Sequence, residues 1–188
     1  MAFLKNFMRP PHLQDTSHLF DEDIKLLLRH YQWGSAYVGG LPSYFFSIVY
    51  ANELRHEIGR CDLRVGYHEE IAYAGHIGYR VYAPYRGHHY AQKASRLLLH
   101  FAHELGMEEC VITCNPDNAP SYRTLVGLGG ELRDTVDVPH DSACYAAGDR
   151  QKCQFYFETA NYLQEAKQNP KVQRVIDEDF FRKKDKFF

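Results

Sequence analysis

The 188-residue chain has no surplus of charge of either sign: 22 Lys and Arg stand against 24 Asp and Glu, a formal −2. A nucleic-acid partner needs a basic surface to neutralise phosphates, so no nucleic acid is expected as the main partner. No apolar run is long enough to cross a bilayer, and the apolar part of MAFLKNFMRPP is too short for a signal peptide. A membrane role is therefore not expected, and the composition reads as that of a cytoplasmic protein. The five cysteines (Cys61, Cys110, Cys114, Cys144, Cys153) are an odd set with no C-x-x-C pair. They suit buried thiols in a reducing compartment rather than a disulfide framework. Internal repeats and low-complexity tracts are absent. So is H-E-x-x-H: His100, His103 and Glu104 do not match it, and no metal is expected.

What the chain does have is aromatic mass, 14 Tyr and 12 Phe, in a length that buries a core without staples. The lead-in, residues 1–20, is broken by Pro10-Pro11. Asp23–Tyr31 alternates at Ile24, Leu26 and Leu28 and reads as a strand, although Leu and Lys also suit a helix. Ser43–Ala51 and His56–Gly66 set β-branched and aromatic residues between turn signals and read as two more strands. Tyr67-His68-Glu69-Glu70 is a polar turn before an expected strand over Ile71–Tyr82. After Gly87, an amphipathic helix puts Ala91, Ala94, Leu98, Phe101, Ala102 and Leu105 on one stripe and ends at Gly106. Cys110–Cys114 suits a buried strand, and Pro120 suits the first turn of a helix running to about Gly127, stopped by Gly129-Gly130. Two late strands are expected near Glu131–Val138 and Lys152–Glu158, with the polar loop Pro139–Arg150 between them. The fold class is α/β (α+β): residues 1–159 form one domain, and 160–188 a charged helical extension packed on it.

The most informative stretch is Ile77–Leu105, IGYRVYAPYRGHHYAQKASRLLLHFAHEL. A strand leads to a turn carrying Arg86-Gly87, and the turn to the long helix. Free N–H groups at a helix start, with the helix dipole behind them and an arginine beside them, suit a pyrophosphate. Arg86-Gly87-His88-His89-Tyr90-Ala91 aligns with the run Arg/Gln-x-x-Gly-x-Gly/Ala, and Asn118-Ala119-Pro120-Ser121 with an Asn-x-x-Ser/Ala pair opening the next helix. In this order the segments resemble the GNAT superfamily of acyl-CoA-dependent N-acyltransferases, over roughly Tyr44–Phe157. The runs GHIGY, PYRGHHYA and CNPDN are similar to those of a bacterial subgroup.

The resemblance implies a mostly antiparallel mixed sheet whose two central strands splay apart around acetyl-CoA, the acyl donor. The pantetheine arm would be bonded by the backbone of Tyr79, Arg80 and Val81. The pyrophosphate would sit on the amides of Gly87, His88, His89, Tyr90 and Ala91, with Arg86 at the rim. Asn118 and Ser121 would hold the thioester end. The activity implied is acetyl transfer to a primary amine by direct attack.

This sequence departs from the family pattern at several points. His89 stands where a glycine normally lets backbone approach the pyrophosphate, and Leu125 where a tyrosine often protonates the leaving thiolate. Tyr122 is no obvious substitute. The position of a frequent glutamate falls near Gly75; the neighbouring His76 is then either the base or a strand histidine bonded within the core. Glu69 and Glu70 are alternatives, or a solvated turn. Asp62 and Arg64 alternate on one strand and either line a substrate site or pair structurally. Residues 30–44 are too few and too glycine-rich for the usual first helix pair, so that pair is expected to be reduced. The acceptor wall would then come from residues 1–20, the C-terminal segment or a second subunit of a homodimer. A non-catalytic acyl-CoA sensor is the rival reading, and a plain interaction domain a third.

Overall fold

In the computed structural model, which describes residues 14–34 and 38–163, the alternating first half of the chain becomes a four-stranded antiparallel meander. Its strands are β1 (Ile24–Gln32), β2 (Ser43–Tyr50), β3 (Glu53–Arg64) and β4 (Ile77–Val81), paired in that order. A one-turn helix, α1 (Ile71–Ala74), precedes β4, and the long helix α2 (Tyr90–Glu104) follows it. Then come β5 (Glu109–Cys114), α3 (Ala119–Leu128), β6 (Glu131–Asp137), α4 (Ala143–Ala146) and β7 (Gln151–Glu158). These strands form a second antiparallel sheet in the order β5-β7-β6.

The core lies where α2 covers the inner faces of both sheets. Ala94, Leu97, Leu98, Phe101 and Ala102 of α2 are buried against Tyr44, Phe46, Cys61, Ile112 and Phe155. Phe101 stands edge-on to both Tyr44 and Phe46, at ring-centre distances of 5.1 and 6.1 Å. Gly106 closes α2 at φ +84°, with its N–H donating to His103 and that of Met107 to Ala102. All five cysteines are free thiols, four of them buried. No helix among the described residues is long and apolar enough to cross a membrane.

One expected element is corrected. The strand over Ile71–Tyr82 is two pieces, because residues 71–74 wind into α1 and Gly75 turns the chain at φ +73°. Side-chain donors on β5 and β7 capture the backbone of this turn. Thr113 Oγ1 donates to the Tyr73 carbonyl at 3.0 Å, and Gln154 Nε2 to the Ala72 carbonyl at 2.7 Å. The lead-in before residue 14, and nearly all of the 160–188 extension, lie outside the described residues.

Between β1 and β2 the ladder runs out to the pair Gln32–Ser43, and among the described residues no helix stands in that connection. The outer face of the meander is therefore not walled by a helix pair from this segment.

The two sheets meet at one point. The His76 N–H donates to the Val111 carbonyl at 2.7 Å, and the Val111 N–H donates back to His76 Nδ1 at 2.9 Å. Beyond this clasp β4 and β5 form no ladder. An amide can only donate, so Nδ1 is the bare nitrogen and Nε2 carries the proton, donated to the Gly66 carbonyl at 3.0 Å. The ring is 3% exposed, and burial lowers its pKa to about 4 despite the two backbone bonds.

A histidine depressed in this way stays neutral when folded, whereas the unfolded ring takes up a proton below about 6.5. Stability is therefore expected to fall by about 3 kcal/mol as pH drops from 6.5 to 4. His76→Ala should cost about 3 kcal/mol at pH 7 and flatten that dependence. Denaturant titrations across this range check both; an unchanged pH profile in the variant would contradict the clasp.

Candidate active site

Strand alternation decides which backbone groups face the splay. The Tyr82 N–H bonds Ile58 and the His76 carbonyl accepts from Arg64, so even-numbered residues of β4 turn their amides toward β3. Tyr79 and Val81 turn theirs away, toward β5. Arg80, expected among the backbone contacts, is corrected: its N–H and C=O belong to the ladder opposite Arg60, and its exposed side chain lies on the outer face.

Across the open end of the splay, the Tyr79 hydroxyl meets Ser121 Oγ at 2.7 Å. Burial pushes the Tyr79 phenol up to about 12, so it keeps its proton at neutral pH. Ser121 is set by the helix start: the Asn118 side chain caps α3 by accepting from the Ser121 N–H at 3.2 Å. Asn118 therefore has the capping role its turn sequence allowed. Leu125 is fully buried and brings no hydroxyl, and the Tyr122 ring stands edge-on to Phe155.

At the far end of β4, a 3-10 turn over Ala83–Tyr85 leads into the Arg86–His89 loop. Gly87 sits at φ +87° and His89 at φ +60°, ψ +15°. His89 thus holds the left-handed conformation a glycine takes freely, at a strain cost of about 1 kcal/mol. The His88 ring lies against Tyr90, with centres 5.5 Å apart. Among the described residues, the amides from Gly87 to Gln92 donate to no protein acceptor, and no side chain caps α2. Arg86 folds back so that its Nε donates to the Val81 carbonyl at 3.1 Å. Six free amides, one arginine and a fifteen-residue helix dipole converge here.

His76, expected as the base, is corrected by its geometry: both ring nitrogens are bonded to backbone in the core, and neither is open to an amine. A carboxylate side chain at Gly75 would be strained, because φ is +73° and a Cβ there would lie 3.1 Å from the Thr113 nitrogen. Glu70 Oε2 accepts from the Gly39 N–H at 3.1 Å.

Sequence reasoning saw the Asp62–Arg64 alternation but not its setting. Asp62 Oδ2 lies 3.0 Å from Arg64 Nη2, and Arg64 Nη1 donates to the Gly75 carbonyl at 3.0 Å. Burial raises the Asp62 pKa, and the Arg64 charge opposes that rise. The carboxylate lies over Gly78, where a Cβ would come 2.5 Å from Oδ1. Asp62 lines an outer-face cavity of about 460 Å³ with Arg29, His30, Phe45, Arg60 and Arg80. Nearby, Glu57 accepts from Ser47, Tyr82 and Arg60; these bonds overcome burial and hold its pKa down to about 2.

For a metal, the group with suitable spacing among the described residues is His18, His100 and Glu104, with ligand atoms within 4.8 Å of one another. His100 and Glu104 lie in the last part of α2, ten and fourteen residues, or about 15 and 21 Å, from its start. Glu104 bonds His18 at 2.8 Å and approaches His100 at 3.3 Å, tying the lead-in to the helix.

Comparison with known proteins follows this geometry. Among solved structures, the chain is similar to Mycobacterium smegmatis RimJ in complex with CoA-disulfide, with 19% identity, TM-score 0.50, and 73% of this chain and 60% of that one covered. It is similar to a chimera of the spermidine N-acetyltransferase SpeG from Vibrio cholerae with hSSAT, with 11% identity, TM-score 0.50, and coverages of 65% and 71%. A GNAT-family acetyltransferase from Bacillus anthracis matches at 18% identity and TM-score 0.48, over 62% of this chain and 66% of that one. The match spans less than two thirds of the RimJ and Bacillus chains, and at these identities the likeness is one of fold. No curated protein matches the sequence. The family model described as "Acetyltransferase (GNAT) domain" matches residues 4–131, more than half of the chain, and the protein belongs to the GNAT acetyltransferase family.

Proposed function

We propose that the protein is an N-acetyltransferase that moves acetyl from acetyl-CoA to a primary amine by direct attack, without a covalent enzyme intermediate. The observation that carries this reading is the row of unpartnered amides from Gly87 to Gln92 beside Arg86, at the end of a splay that opens between β4 and β5. A diphosphate satisfies those donors, and the pantetheine arm then runs along the outward-facing backbone of Tyr79 and Val81. RimJ, similar in fold, is bound to CoA-disulfide in its own structure, which supports CoA as the ligand class.

The thioester end reaches Tyr79 and Ser121. Direct attack builds an oxyanion, and collapse expels a thiolate that needs a proton. With the family tyrosine replaced by Leu125, the Tyr79–Ser121 pair supplies a hydroxyl-to-hydroxyl bridge across the splay. Tyr79 stays protonated at neutral pH and donates, directly or through Ser121. His76 holds the splay in shape, and Asn118 acts by fixing Ser121.

The sensor reading is favoured by the missing glutamate and tyrosine, now seen as Gly75 packed on β5 and Leu125 in the core. Thiol release from acetyl-CoA with a panel of amines separates the two readings. Turnover on any amine is expected; binding of acetyl-CoA by calorimetry without turnover on the whole panel would leave the sensor standing.

Two variant series follow from the proposed roles. Tyr79→Phe should lower kcat by about 100-fold with CoA affinity little changed, and Ser121→Ala should lower it less. A Tyr79→Phe enzyme of normal kcat would take the phenol out of the chemistry.

In the diphosphate loop, Arg86→Ala should weaken acetyl-CoA binding by about 10-fold. His89→Gly should raise stability by up to about 1 kcal/mol through relief of the left-handed strain, without loss of cofactor affinity. Thermal denaturation and calorimetry read both. A weaker CoA complex in His89→Gly would show instead that the imidazole contacts the ligand.

A further inference from the structure

The outer face of the meander is built for charge. A bulge between Leu28 and His30 breaks the alternation of β1, so Arg29 and His30 both line the cavity. His30 stacks flat on Phe45, with centres 4.4 Å apart and planes 11° from parallel. Phe45 in turn sits opposite Asp62, and Asp62 opposite Gly78. One register step along, Arg60 and Arg80 face each other directly across β3 and β4.

Like charges opposed in this way are unfavourable unless something neutralises them. Arg60 has a partner, with its Nε 2.9 Å from Glu57 Oε1. Arg29 and Arg80 have no carboxylate partner among the described residues. The cavity thus holds two unmatched positive charges at its rim. It also holds one acidic group, Asp62, whose Oδ1 lies over the side-chain-free Gly78 and whose Oδ2 is buried without a hydrogen-bond donor of good geometry. The volume of about 460 Å³ suits a small molecule rather than a folded protein surface.

We infer that this cavity is the acceptor site and that its acceptor is a small zwitterionic amine, with Asp62 receiving the ammonium and Arg29 and Arg80 holding a carboxylate or phosphate on the same molecule. The inference rests on the acetyl-transfer reading above and adds the substrate class to it. The flat face of His30 on Phe45 covers the apolar carbons between the two charged ends. In the reaction, Asp62 takes one proton from the ammonium. The freed nitrogen lone pair forms the C–N bond and the C–S bond breaks. Tyr79 protonates the thiolate through Ser121 and is reprotonated by the second N–H proton that the nitrogen loses. Asp62 releases its proton to solvent, giving CoA and an acetamide. No co-reactant beyond acetyl-CoA is needed.

The test is an acceptor panel at saturating acetyl-CoA: β-alanine and phosphoethanolamine as zwitterions, against β-alanine amide and putrescine, which carry no anion. The wild-type enzyme should favour one of the zwitterions over both controls by at least about 10-fold in kcat/KM. The two zwitterions separate the carboxylate source from the phosphate source. The double variant Arg29→Ala, Arg80→Ala should raise KM for the preferred zwitterion by about 10-fold or more, leave kcat within a few-fold, and erase the preference over the controls. Asp62→Asn should lower kcat by about 100-fold and remove the acidic limb of the kcat/KM–pH profile. Circular dichroism confirms that each variant is folded.

Turnover of putrescine or the amide equal to or better than both zwitterions overturns the inference while leaving acetyl transfer intact. An unchanged KM in a folded double variant does the same. Failure of acetyl-CoA to bind in calorimetry overturns both readings together.

Discussion

The clasp between His76 and Val111 is the constraint on which the rest of the structure depends. Two antiparallel sheets could join edge to edge through a full ladder, and the groove between them would then vanish. Here they are held at one residue pair, by one backbone bond and one bond to an imidazole that no other side chain at that position replaces. From that point β4 and β5 diverge, leaving the Tyr79 backbone groups and the Val81 N–H unpaired by protein, while the Val81 carbonyl accepts from Arg86 Nε. A buried ring bonded through both nitrogens is a costly device unless every bond is made. Every bond is made here, with the Nε2 proton going to Gly66. The low pKa belongs to that arrangement: a charged imidazole would need to donate from Nδ1, where an amide already donates.

The sequence was legible where physics is local. Strand periods in β1 to β3, the stripe of α2, its Gly106 stop and the Pro120 helix start all depend on neighbours within a turn or two, and they stand where the pattern placed them. The loop before α2 was visible because Arg86, Gly87 and the helix behind them are contiguous. The Ile71–Tyr82 stretch was misread because the forces that wind α1 come from Thr113 and Gln154, 40 and 82 residues away from their carbonyl partners. Tyr79 and Ser121 are separated by 42 residues, and no motif links a strand tyrosine to a helix-opening serine. The outer-face cavity was harder still. It needs a bulge in β1 and the facing of Arg60 with Arg80, and register is a property of pairing that one strand alone does not encode.

His89 shows how a departure in sequence can conserve a conformation. The run that usually carries glycine here has a histidine, yet its backbone takes the left-handed turn a glycine would take. Surrounding structure over-determines that turn: the 3-10 segment before it, Gly87 two residues earlier and the start of α2 after it all fix the path. The strain is small beside what six uncapped amides would gain from a bound anion. The loop therefore keeps its donors free of protein acceptors, while the imidazole itself lies exposed.

The acceptor proposal meets its hardest demand in the proton. An alkylammonium with a pKa near 10.4 is held from its reactive form by about 4.6 kcal/mol at pH 7. Arginines beside it would lower that pKa, but an anion bound to Arg29 and Arg80 cancels much of their field at the nitrogen. The burden then passes to Asp62, an ordinary carboxylate being a poor base for so weak an acid. Burial raises Asp62 and so narrows the gap, while the Arg64 charge opposes that rise. Without Arg64 the carboxyl would move toward its neutral form and lose its hold on the substrate. With a second cation at the same distance it would be too acidic to accept a proton. One carboxylate oxygen pairs with Arg64, and the other lies over Gly78, where only the absence of a side chain makes room for it.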